Sequence, residues 1–197
     1  MSDGKVESSR SELLNRLLTV ARSIDRASEW AGRTVAWLTL GTVLICFATV
    51  YLRYALNIGL IWLQELYIWT HAAAIMFGAG YVLMRGGFVR VDLLYTRLVA
   101  RGKAVVDLIG TVCFMAPFLI MMALSGWPFF YASYQMREAS QQESGLSDWW
   151  ILKGTLLAFV AAVGVQGLSI AIHSLVTLLE PAPPADDMHK SAPTEVV

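Results

Sequence analysis

Charge is what this chain has little of. Only 15% of its 197 residues are Asp, Glu, Lys or Arg, against about 25% in an ordinary soluble domain. Four stretches hold none at all: residues 34–52, 66–84, 108–136 and 154–179. A hydrocarbon core about 30 Å thick needs roughly 20 helical residues at about 1.5 Å each. All four stretches meet that length, the first two only just, so the sequence predicts an all-α integral membrane protein with a four-helix transmembrane bundle.

Other scarcities narrow the chemistry. There are two cysteines, Cys46 and Cys113, expected at depths differing by roughly 16 Å along the helices, which excludes a disulfide and leaves them as small apolar side chains. The three histidines are His71, His173 and His189. The first two lie at different depths and share no plane for a haem, and the third sits in the tail. No His, Cys and carboxylate set has metal-ligand spacing, and no phosphate loop, nucleophile elbow or dinucleotide fingerprint occurs. What remains outside the spans is too short to fold into a soluble catalytic domain. An enzyme, a cofactor and a nucleic-acid partner are therefore not expected.

The charges that do occur are unevenly placed. Of 15 Lys and Arg, six precede the first span, five lie between the second and third, and Lys190 is in the tail; only Arg53, Arg137 and Lys153 fall on the other side. The positive-inside rule then places both termini in the cytoplasm. No cleavable signal peptide is expected, since the first apolar run is of spanning length and lacks a small-residue cleavage site.

Three regions follow: a cytoplasmic, interfacial amphipathic segment over 1–30, a transmembrane domain over 31–180, and a disordered proline-rich tail over 181–197. In the first, Leu13, Leu14, Leu17, Leu18, Ala21 and Ile24 recur at helical spacing, with Glu12, Arg16, Arg22, Asp25, Arg26 and Glu29 opposite. Such a helix is expected to lie along the membrane surface with Arg16, Arg22 and Arg26, and Arg97 from the middle connection, at lipid headgroups. Asn57 and Gly59 signal a tight turn between the first two spans. Pro117 and the Gly126-Trp127-Pro128 group are expected to kink the third. Trp127, Phe129, Phe130, Tyr131, Tyr134, Trp149 and Trp150 fit an interfacial aromatic belt.

Glu65 is the acid placed nearest the membrane interior. An unpaired charge there costs a few kcal/mol, so it must be protonated, paired or buried in protein; Arg53, across the turn, is its nearest candidate partner within the chain, and another membrane subunit is the alternative. Trp62, Glu65 and Trp69 share a helical face. Gln166, beside Gly164 and Gly167, is a polar group whose small neighbours admit a closely packed helix, from this chain or another.

Two ordered sets of residues resemble one family. They are Arg53-Tyr54-Ala55-Leu56-Asn57, Trp62-Leu63-Gln64-Glu65-Leu66, Gly78 to Arg85 and Val89-Arg90-Val91-Asp92, then Glu143 to Lys153 with Gln166-Gly167. Over about residues 30–180 the chain is similar to the small membrane subunit of tripartite ATP-independent periplasmic (TRAP) transporters, the DctQ-like family. The resemblance implies a bacterial inner-membrane, multi-pass scaffold subunit without a transport site of its own. It would bind a large multispanning subunit that imports an organic acid or similar solute, coupled to an ion and delivered by a periplasmic binding protein. Arg53, Tyr54, Trp62, Glu65, Trp69 and Gln166 are then expected in interhelix contacts or against the large subunit. Relatives often have a second acid before the glutamate and an arginine three residues after it, where this chain has Gln64 and Ile68, and often a histidine at Phe88. Competing readings are a self-contained channel or exporter, disfavoured by too few polar groups for a pore, and the membrane anchor of a redox enzyme.

Overall fold

The computed structural model describes residues 3–87, 95 and 98–180, with side chains from residue 10 onward. Arg97, the 89–92 segment, Phe88 and the 181–197 tail therefore lie outside the described residues. The described elements are all helical: α1 (Asp3–Ala55), α2 (Ile61–Met84), α3 (Ala100–Ile109), a π-helical turn (Gly110–Met115), α4 (Ala116–Gln135) and α5 (Trp150–Leu179). Four rods are long and apolar enough to cross a membrane, the third being α3, the π turn and α4 end to end.

The first helix differs from the expectation of a separate surface helix followed by a span. It runs without interruption through both, because no glycine pair or proline divides residues 30 to 34 and the backbone ladder continues. Asp25, expected on the outward polar face, is turned inward onto α5.

Pro117 falls one residue into α4. Its ring has no N–H and crowds the preceding turn of a regular helix. The widened turn over Gly110–Met115 immediately before it absorbs that conflict, a common setting for a π bulge. Around Pro128 the helix continues.

The α1–α2 turn closes where Leu52 O accepts from Ile58 N at 3.0 Å, and Asn57 adopts φ 55°, a left-handed value that asparagine tolerates. From there α1 and α2 run antiparallel, tied by Thr42 Oγ1 to Thr70 Oγ1 at 3.0 Å and by Arg85 to Glu29 at 2.8 Å. The last helix packs against α1, α2 and all parts of the third rod. Its approach to α2 is close: a Cβ added at Gly80 would lie 2.9 Å from the Ala162 carbonyl oxygen. A small apolar core of Ala79, Leu119 and Val163, with Leu83, Met115, Phe159 and Val160 around it, joins α2, α4 and α5 at mid-height.

Two contacts fix the register of α2 on α5. Gly80 meets Ala162 and Trp69 meets Trp149, ring centroids 6.4 Å apart, so the two helices run in the same direction. On that register α2 begins about 12 Å beyond the start of α5 at the helical rise. The 136–149 loop fills the step, which is how Glu65, in the first turns of α2, comes to be buried.

Candidate functional site

Two clusters of hydrogen-bonded polar side chains form clasps toward opposite ends of the bundle. On the loop face the clasp is built on Glu65, which is 7% exposed. One carboxylate oxygen accepts from the Ser140 hydroxyl and the other from the Leu146 amide at 2.6 Å. The loop that brings those donors is held by its own backbone: Ser140 N donates to Leu146 O at 3.0 Å, and Trp149 N to Glu138 O at 2.8 Å. Arg137, Ser144 and Asp148 take left-handed φ values of 45°, 68° and 66°, strain that the closed loop holds in place.

Around it, Lys153 donates to Glu138 while its ammonium lies 4.2 Å from the centroid of the Phe129 ring. The hydrogen bond from the Lys153 ammonium holds the Glu138 carboxyl below its usual value. Trp150 Nε1 donates to Asp148 Oδ1 at 3.0 Å, and Trp150 meets Tyr134 edge-on at 5.3 Å. Aromatic residues expected in the interfacial belt thus rim the clasp.

The opposite clasp joins α1 to α5. Gln166, 1% exposed, accepts from Ser28 Oγ at 2.6 Å and donates from Nε2 to Asp25 Oδ1 at 2.8 Å. Ser169, fully buried, donates to the same oxygen at 2.7 Å, and His173 Nε2 lies 3.1 Å from Asp25 Oδ2. Nearer the helix ends, Glu29 accepts from both Arg33 and Arg85 at 2.8 Å. Arg10 and Arg101 donate to the carbonyls of Leu179 at 2.5 Å and Glu180 at 2.6 Å, where cations satisfy the free carbonyls of a helix C-terminus.

Between Glu65 and the α2 level that faces Gln166 lie about 30 Å of helix, close to a hydrocarbon thickness. The apolar core around Ala79 and Val163 occupies the interval.

The expected contact residues separate into two groups. Glu65, Trp69 and Gln166 are engaged inside the chain, Trp69 through Trp149. Arg53, Tyr54 and Trp62 are exposed, Tyr54 by 79% and Trp62 by 42%. The candidate pairing of Arg53 with Glu65 does not form: Glu65 points at the 136–149 loop, its oxygens are taken by Ser140 and Leu146, and Arg53 has no partner among the described residues. Arg16, Arg22 and Arg26 are exposed along α1. His71 is exposed while His173 is held by Asp25, so the two do not converge. Among the described residues no group of three His, Cys, Asp or Glu assembles as a metal set.

Sequence reasoning did not single out Asp25, Ser28, Ser140 or Ser169. For Asp25 and Ser28 a signal existed: with Ala21 and Gly32 they form a small, weakly polar stripe at helical spacing, the kind of face that lets helices approach.

Most of the first and third rods is open. Only 6% of the most apolar window of each is buried, against 17% and 22% for the second and fourth, so these two carry the bulk of the surface offered to lipid or to a neighbour.

A family model described as tripartite ATP-independent periplasmic transporters, DctQ component, matches residues 42–182, from the last third of α1 to just beyond α5. No curated protein and no solved structure matches. The matched span includes the loop-face clasp and the α5 half of the other, on four helices of spanning length. The chain belongs to the DctQ family, the small membrane component of TRAP transporters, and is a transport component rather than an enzyme.

Proposed function

We propose that this subunit does not carry solute itself but braces the large membrane subunit of a TRAP importer while that subunit moves an organic acid or similar solute, ion-coupled and delivered by a periplasmic binding protein. One observation supports this above others. The two polar clasps are engaged in holding the chain's own helices and loop together, and an apolar core separates them. A channel needs polar groups along its length; among the described residues the level between the clasps is occupied by the apolar cluster of Ala79, Leu119 and Val163. The protein is a multi-pass protein of the inner membrane, and the distribution of Lys and Arg supports cytoplasmic termini, with the 136–149 loop on the periplasmic side.

With Glu65, Trp69 and Gln166 engaged internally, the exposed Arg53, Tyr54 and Trp62 are the contact residues assigned to the large subunit. Aromatic and arginine side chains are those that anchor protein interfaces. Arg16, Arg22 and Arg26, exposed on α1, serve the cytoplasmic headgroups.

Coexpression with the large subunit tests the assignment. Tyr54→Ala with Trp62→Ala should lower copurification about tenfold or more, as loss of hot-spot side chains does, while the isolated variant melts as the parent does. Undiminished copurification and uptake would show that another face makes the contact.

A further inference from the structure

The loop that covers Glu65 leaves a space beside it. A cavity of about 550 Å³ opens between α2, α4 and the loop, lined among others by Gln64, Glu65, Ile68, Phe129, Glu138 and Lys153. That volume is ordinary for a small-molecule site. Its floor is level with the Trp69–Trp149 pair, in the zone where tryptophan marks a membrane surface.

The lining has unused hydrogen-bonding capacity of both kinds. An ammonium has three N–H donors; that of Lys153, with a side chain only 16% exposed, gives one to Glu138. The Gln64 side-chain amide has no hydrogen-bond partner among the described residues. Each oxygen of Glu65 takes one donor and keeps lone-pair capacity. Two carboxylates stand against one ammonium, so an anion alone is disfavoured. The chemistry called for is a group with both anionic oxygens and an amine, which a zwitterionic phospholipid headgroup supplies. A primary ammonium can donate to the remaining carboxylate lone pairs, which a quaternary ammonium cannot do, so a primary amine is favoured. Below the cavity, Ile68, Ile75 and Val82 recur every seven residues down α2, exposed by 48%, 54% and 41%. They form an apolar track that starts at the cavity.

We propose that this cavity binds the headgroup of a glycerophospholipid with a primary amine, phosphate on Lys153 and Gln64, ammonium on Glu65 and Glu138, and an acyl chain along Ile68, Ile75 and Val82. The inference depends on the chain crossing a bilayer and is independent of its bracing a partner. A lipid held there would fix the loop to α2 from the membrane side, complementing Glu65 from within.

Native mass spectrometry of the full-length chain, in micelles containing equal amounts of phosphatidylethanolamine, phosphatidylcholine and phosphatidylglycerol, tests it. One phosphatidylethanolamine per chain should be retained. Lys153→Gln should cut that retention roughly tenfold, the weight of one charge-assisted hydrogen bond. Gln64→Trp, which places a bulky ring in the cavity, should do the same with helix content and elution unchanged. Equal retention of the three lipids, or retention that survives Gln64→Trp, would overturn the proposal. So would displacement by millimolar glycerophosphoethanolamine, which has the same headgroup and no acyl chains, since the ligand would then be a soluble phosphoamine.

Discussion

Gly145 lies against the carboxylate of Glu65: a Cβ added to it would sit 2.8 Å from Glu65 Oε1 and would also run into the Ser140 side chain. The absence of a side chain at one loop position is thus what lets a buried acid reach its two donors. Gly145→Ala should lift the loop off α2 at a cost of about 1–3 kcal/mol, the range for overpacking a tight site. Limited proteolysis within residues 136–149 of the purified chain would report it, cleavage becoming faster while the four spans stay helical.

Replacing the acid separates its two contacts. Glu65→Gln retains one acceptor oxygen and turns an amide NH2 toward the other donor, whereas Glu65→Leu retains neither acceptor. An unsatisfied buried donor costs about 1–3 kcal/mol, so thermal melts in detergent should rank the parent above Glu65→Gln and that above Glu65→Leu. A Glu65→Leu variant as stable as the parent would show that the carboxylate does not hold the loop.

At the other face, Gln166→Leu removes the donor to Asp25 and the acceptor for Ser28 together. The expected loss is about 1–3 kcal/mol for the groups left unpaired, read as a lower melting temperature and faster amide exchange in the N-terminal half of α1. Arg22→Ala, on the open side of the same helix, should stay within about 0.5 kcal/mol of the parent.

The α2–α5 approach has a steric test. Gly80→Val would drive branched carbons into the Ala162 backbone, which cannot give way as a flexible side chain does. Cross-linking of a cysteine pair placed at Trp69 and Trp149 should fall in that variant, whereas Gly41→Val, whose position has open space around it, should leave it unchanged.

The Glu138–Lys153 pair gives the loop a dependence on acid. A carboxyl whose folded pKa lies below its ordinary 4.5 stabilises the fold fully above the ordinary value, and that contribution is lost as pH falls through the lowered one. Amide protection at Ser140 and Trp149, corrected for intrinsic exchange, should therefore hold from neutral pH to about 5 and decline below 4.5. A decline already complete at pH 6 would point to a different group.

The four spans and the α1–α2 turn were legible in the sequence because a charge-free run of spanning length has few alternative uses, and Asn57 and Gly59 mark where the chain reverses. Glu65 was legible as a group needing partners, but not which partners. Ser140 and the Leu146 amide come from an irregular loop, and a backbone N–H leaves no trace in residue identity. Asp25 was placed outward because an amphipathic pattern sorts polar residues to one face; that rule fails when the partner helix offers Gln166, Ser169 and His173 of its own. The unbroken α1 was missed for a related reason. The change from mixed to apolar composition near Thr34 marks a change of surroundings, and helical hydrogen bonding continues through it.

Proteoliposomes that contain this chain alone, the large subunit alone, or both, supplied with the cognate binding protein and an ion gradient, test the bracing role most directly. The account predicts no solute uptake by this chain alone and gradient-driven uptake only when the two membrane subunits are together. Uptake by this chain in the absence of the large subunit would contradict it.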